Sequence, residues 1–213
     1  MTLPRVYPIL DSGALERSGV SPVTAAAAFL EGGAGILQIR HKGHWSRGVF
    51  ADAQEVARLC REAGAMLVID DRADFALLLS AGLHIGQDDL PPRDARRLLG
   101  AEPVLGFSSH DERQLCAAGG EPVDYVALGP VFRTASKSNP DPAIGVEALR
   151  RCRPLVEKPL VAIGGVTLEN ALQVWEAGAD SVAVIAGLIP EEPTARALRE
   201  RMEEWRRLAQ TVG

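Results

Sequence analysis

A chain of 213 residues can bury one sizeable core, and 46% hydrophobic with 24% charged residues is the balance of an ordinary globular protein. A formal net charge of −5 argues against a general nucleic-acid binder, so basic groups should act locally. Cys60, Cys116 and Cys152 are far apart and form no Cys-x-x-Cys pair, which reads as reduced thiols in a cytoplasmic protein.

The N-terminal Met-Thr-Leu-Pro-Arg-Val-Tyr has no secretory apolar region, and no apolar run approaches the ~18 residues of a membrane span. In chain order, Val6–Leu10 reads as a strand and Pro22–Glu31, with its alanine run, as a helix. Gly35–Arg40 is a second strand, followed by a helix to Ala63 capped by Ser46. Met66–Ile69, Leu83–Gly86, Val104–Phe107 and Tyr125–Gly129 are the next four strands. Between and after them lie helical patterns at Asp74–Leu79, Pro92–Leu99 and Asp111–Ala118. An irregular stretch, Pro130–Pro142, precedes a helix over Gly145–Cys152. Leu160–Ile163 and Ser181–Ala186 complete the strands, with helices at Leu168–Ala177 and Glu192–Leu208. Arginine clusters at Arg150–Arg153 and Arg196–Arg207 have acidic neighbours and read as solvated helix faces.

Eight strand–helix units whose strands are continuous apolar runs call for a parallel sheet covered on its outside. The count of eight favours a closed (β/α)8 TIM barrel, one α/β domain over residues 1–213, and no G-x-G-x-x-G follows the first strand. In such a barrel the strand C-terminal ends form the site. Met66–Ile69 and Leu83–Ile85 each lead into an aspartate pair, Asp70-Asp71 and Asp88-Asp89. On neighbouring strands four carboxylates repel one another unless a cation joins them, and such hard oxygen ligands suit Mg2+ held with a substrate phosphate. One residue of each pair also serves as a helix cap in the plainer reading. The second strand ends Gln38-Ile39-Arg40-His41-Lys42, and alternation places Gln38, Arg40 and Lys42 on one face. Two cations and an amide at the mouth suit a diphosphate. Thr134, Ser136 and Lys137 form a candidate phosphate loop, and Gly164-Gly165 lets the backbone approach a ligand or simply turn. Ser108, Ser109 and His110 have no acidic orienter or nucleophile elbow, so a hydrolase triad is poorly supported.

Together these segments, with His84-Ile85-Gly86-Gln87-Asp88-Asp89, Gly106-Phe107-Ser108-Ser109-His110, Asp124-Tyr125, Gly129-Pro130-Val131-Phe132 and Ala162-Ile163-Gly164-Gly165-Val166, resemble the signatures of the thiamine phosphate synthase family, in order and along nearly the whole chain. The resemblance implies a transferase of thiamine biosynthesis, a (β/α)8 enzyme that joins a hydroxymethylpyrimidine diphosphate to a thiazole phosphate and releases pyrophosphate. It implies that Gln38, Ile39, Arg40, His41, Lys42, Asp70, Ser108 and Lys137 lie at the pyrimidine diphosphate. It implies Asp71 and Asp89 as Mg2+ carboxylates, and Thr134, Ala135, Ser136, Gly165, Ile185 and Ala186 at the thiazole phosphate. Arg40, Lys42, Lys137 and Ser108 are the residues it makes catalytic. The chain departs from the family at Asp70, usually Asn, and at Ala186, usually Ser. Two alternatives stand beside it: a related thiazole tautomerase type, and a barrel that only binds thiamine precursors. Expected partners are small molecules, not nucleic acid or membrane, with homo-oligomerisation left open.

Overall fold

The computed structural model describes residues 1–134 and 142–212. Eight strands form a closed barrel: β1 (Val6–Asp11), β2 (Ile36–Arg40), β3 (Met66–Asp70), β4 (Gly82–Ile85), β5 (Leu105–Ser109), β6 (Tyr125–Leu128), β7 (Leu160–Ile163) and β8 (Ser181–Val184). Each pairs in parallel with the next, and β8 closes onto β1 through Val6↔Val182 and Pro8↔Val184. Closure leaves no edge strand to protect.

The intervening helices are α1 (Ser12–Arg17), α2 (Pro22–Glu31), α3 (Arg47–Ala63), α4 (Ala73–Leu79), α5 (Pro92–Leu99), α6 (Glu112–Gly119), α7 (Val146–Cys152), α8 (Ala171–Glu176) and α9 (Ala195–Gln210). Their starts follow local chemistry. The side chains of Asp11, Ser21, Ser46, Asp111 and Thr194 accept backbone N–H groups at the starts of α1, α2, α3, α6 and α9. Thr194 capping moves the start of the last helix from the expected Glu192 to Ala195. The last expected strand stops at Val184, because Ala186–Leu188 tightens into a 3-10 turn. Helix α1 had no counterpart in the sequence reading; six residues containing a glycine give no periodic signal.

Two apolar layers result from the period-2 alternation of strand side chains. The larger lies between the strands and helices and includes Leu37, Ile39, Ile69, Leu83, Ile85, Val126 and Leu128. The smaller fills the barrel interior with Tyr7, Ile9, Ile36, Val68, Tyr125, Ala127, Val161 and Ala183. Small residues near the upper end, Ala127 and Ala183, leave that end unfilled. Gly106 belongs to the same logic, since a Cβ there would overlap the Tyr125 ring. The outer layer is pinned at one corner by Trp205 of α9, fully buried, whose indole N–H donates to Gly187 O at 3.1 Å.

Candidate active site

Inward positions change character as the strands rise. On β2 the inward series runs Ile36, Gln38, Arg40; on β3 it runs Val68, Asp70; on β5 it runs Gly106, Ser108. The apolar plug therefore gives way to a polar cavity of about 680 Å3 at the strand C-terminal ends. Gln38, Arg40, Lys42, Asp70, Asp71, Asp89, Ser108, Thr134, Gly165, Ile185 and Ala186 all line it.

Its floor is a hydrogen-bonded chain. Gln38 Nε2 donates to the Tyr7 hydroxyl at 3.2 Å, and Tyr7 and Tyr125 hydroxyls lie 3.0 Å apart. Tyr125 reaches His84 Nδ1 at 2.9 Å, and His84 Nε2 reaches Ser108 Oγ at 2.8 Å. Burial pushes both tyrosine hydroxyls well above their ordinary range, so they remain protonated hydrogen-bonding groups. His84 is thus both the hydrogen-bonded core histidine its strand position suggests and a wall of the cavity. Of the chain's two tyrosines, Tyr7 was missed by sequence reasoning, and Tyr125 entered it only within the Asp124-Tyr125 signature, without a site role. Their signal was a polar-tipped ring inside an otherwise aliphatic strand.

The rim above is charged. Arg40 pairs through Nη1 with Asp11 Oδ2, and its Nε lies 3.7 Å from Asp70 Oδ2. Lys42 sits 2.7 Å from Asp70 Oδ2 and also pairs with Asp71. Burial works against the Lys42 charge, but Asp70 and Asp71 outweigh it, and the lysine pKa rises. Burial pushes Asp70 up to about 6, with Lys42 and Arg40 holding it back and Asp71 adding to the rise. Asp71 is the first residue beyond β3, takes a left-handed conformation with φ 62°, and donates its N–H to His84 O at 2.8 Å. Asp89 accepts the Gly86 N–H at 2.6 Å, which folds the β4 loop back over the rim. Burial first, and then Asp71 beside it, raise the Asp89 pKa. Two carboxylates held side by side in this way are a hard-oxygen donor pair. Among the described residues no cluster of three or more His, Cys, Asp or Glu could hold a metal. A cation here would draw the rest of its shell from water and substrate oxygen, which is the habit of Mg2+.

Two residues of the diphosphate segment turn away from the cavity. Ile39 packs in the outer layer, 6% exposed. His41 Nδ1 meets Ser12 Oγ at 2.8 Å, its Nε2 meets His44 O at 3.2 Å, and its ring sets an edge against Trp45. That outcome follows the alternation, which put both on the opposite face from Gln38, Arg40 and Lys42. Asp88 is exposed at the rim. Ala135, Ser136 and Lys137 lie outside the described residues. On the far side, Gly164 and Gly165 have φ 98° and 66°, and a Cβ on either would collide with Pro130 or with Phe132 and Arg133 O. Their conformational freedom therefore serves the docking of the β6 loop, which donates Phe132 N–H to Gly164 O at 2.9 Å. His110 also lines the cavity, with Nδ1 2.8 Å from Gly129 O.

Residues 6–188 match the family model described as thiamine monophosphate synthase. The chain is 44% identical over 200 residues to a thiamine-phosphate synthase of Koribacter versatilis, covering 92% of this chain and 94% of the relative. A thiamine-phosphate synthase of Chloroflexus aurantiacus is 39% identical over 197 residues, covering 92% and 90%. Among solved structures, a thiamine phosphate pyrophosphorylase from Pyrococcus furiosus superposes with a TM-score of 0.84 at 31% identity, covering 98% of this chain and 96% of that one. With such matches spanning the barrel and every strand end that builds the rim, the chain belongs to the thiamine monophosphate synthase family.

Proposed function

We propose that this barrel condenses 4-amino-2-methyl-5-(diphosphooxymethyl)pyrimidine with 4-methyl-5-(2-phosphooxyethyl)thiazole, giving thiamine phosphate and pyrophosphate. The carrying observation is the layering of the cavity: a hydrogen-bonding floor beneath a rim of paired charges. A flat, neutral heteroaromatic ring with donor and acceptor edges suits the floor. Its diphosphate then reaches the rim, where Arg40 and Lys42 meet leaving oxygens.

In the reaction the carbon–oxygen bond to the diphosphate breaks with its electron pair on oxygen. The thiazole nitrogen closes a new carbon–nitrogen bond to the same methylene. The aminopyrimidine spreads the developing positive charge, so no protein nucleophile is required. The protein instead neutralises the leaving group in advance, through Arg40, Lys42 and the loop lysine Lys137. Mg2+ held by Asp71 and Asp89 would supply additional positive charge to the departing diphosphate. Ser108, fixed by His84 at 2.8 Å, offers a hydroxyl between floor and rim. Gly165, Ile185 and Ala186, with Thr134 and the adjoining Ala135 and Ser136, form the thiazole phosphate side. Where two substrates meet in one cavity, positioning supplies much of the acceleration.

The test is incubation of purified protein with both substrates, with and without Mg2+, measuring thiamine phosphate and pyrophosphate. Stoichiometric, Mg2+-dependent release of both is expected. Absence of product at micromolar enzyme would reject the reading and leave a precursor-binding barrel.

A further inference from the structure

Among the described residues two carboxylates are buried, Asp11 and Asp70, and both flank Arg40. Asp70 lines the cavity; Asp11 does not. Asp11 ends β1 directly opposite Arg40 in the β1–β2 register. Its two oxygens have separate tasks. Oδ1 accepts the Ala14 N–H at 2.8 Å, and Oδ2 pairs with Arg40 Nη1. The cap bond fixes the carboxylate, so Asp11 presents a stationary anion to a long, rotamer-rich side chain. Holding a guanidinium by one nitrogen leaves further N–H groups of its planar fork for another oxyanion.

We infer that Asp11 is a positioning residue for the condensation: it fixes the Arg40 guanidinium at the cavity mouth so that its remaining N–H groups meet the substrate diphosphate. The inference rests on the function proposed above. It differs from a plain helix-cap role, which would use Oδ1 alone and serve a helix of only six residues.

The two tasks separate by substitution. Asp11→Ser retains a good N-cap oxygen but cannot reach Arg40, and Asp11→Asn keeps cap and shape while losing the charge. Both should melt close to wild type. The KM for the pyrimidine diphosphate should rise about tenfold or more, the scale of a lost charge-assisted hydrogen bond. The KM for the thiazole phosphate should stay unchanged. In an Arg40→Ala background, Asp11→Ser should add no further loss, because the group it positions is gone. Calorimetry with inorganic pyrophosphate and Mg2+ reads the same effect without turnover, as weaker binding in Asp11→Ser. A wild type that makes no thiamine phosphate rejects the function, while the pyrophosphate titration still decides the role of Asp11. Wild-type pyrophosphate affinity in both variants, equal rises in both KM values, or losses that multiply with Arg40→Ala would each overturn the inference. Should Asp11→Ser fail to fold, Asp11→Asn carries the comparison alone.

Discussion

Asp70→Asn should make the ligand-free protein more stable at pH 8 and change nothing at pH 4. Asp70 is 6% exposed, and burial raises its pKa from 3.8 to about 6 despite Lys42 at 2.7 Å. Between about pH 4 and 6 the folded protein therefore binds a proton more tightly than the unfolded chain. Stability falls as pH rises through that window, and above it the carboxylate is a net burden on the fold. A pKa raised from 3.8 to about 6 corresponds to roughly 3 kcal/mol, a net figure that already includes the opposing pull of Lys42 and Arg40. Asparagine is the neutral isostere of the protonated acid and does not titrate. Urea unfolding in Mg2+-free buffer should give variant and wild type equal stability near pH 4. The variant should gain on the order of 2–3 kcal/mol by pH 8. An asparagine variant that is less stable at pH 8, or an offset that is the same at both pH values, would refute the claim that desolvation outweighs pairing here.

Asp89→Ala and Lys137→Ala should each lower kcat/KM by roughly 100-fold or more while the circular dichroism spectrum stays native, the scale of removing a preorganised charge from a leaving group; unchanged steady-state kinetics would remove that residue from the site. Gly106→Ala should cost about 1–3 kcal/mol in chemical denaturation and also impair turnover, because its methyl displaces the Tyr125 ring from the cavity floor. A silent Gly106→Ala would mean the floor is adjustable. Trp205→Ala should destabilise by about 3–5 kcal/mol as read by guanidinium unfolding, since the side chain is fully buried and anchors the loop after β8.

The barrel was legible because parallel strands buried on both faces leave uninterrupted apolar runs, and all eight lie where those runs are. Strand ends were less legible, for a physical reason: Asp70 and Ser108 are polar yet continue the ladder, since their side chains face the site. Alternation on β2 sorted Gln38, Arg40 and Lys42 from Ile39 and His41 correctly. What no local pattern could supply was the partner on another strand. Tyr7 and Tyr125 meet over a separation of 118 residues, and Asp11 reaches Arg40 over 29. Tyr7 and Tyr125 read only as strand residues, and Asp11 fell outside every predicted element, until the folded sheet brought each partner near.

The rim itself explains why the two halves of the site must work together. Among the described residues it holds Arg40 and Lys42 against Asp11, Asp70, Asp71, Asp88 and Asp89, two positive charges against five negative, an excess of three negative. A diphosphate approaching that rim meets a field of its own sign at the side where Asp71 and Asp89 stand. Under the proposed function the arrangement would become attractive with a divalent cation on that side, since the carboxylates would then hold the cation rather than repel the substrate. Under the proposed function Arg40 and Lys42, tethered to Asp11, Asp70 and Asp71, would contact the opposite phosphate oxygens. Asp11 and Asp70 thus hold the cations in place, and the burial of Asp70 costs fold stability that Asp70→Asn would recover. Under the proposed function such a cost is what a preorganised leaving-group site requires: Asp70, whose burial weakens the fold, would also help aim Arg40 and Lys42 at the diphosphate.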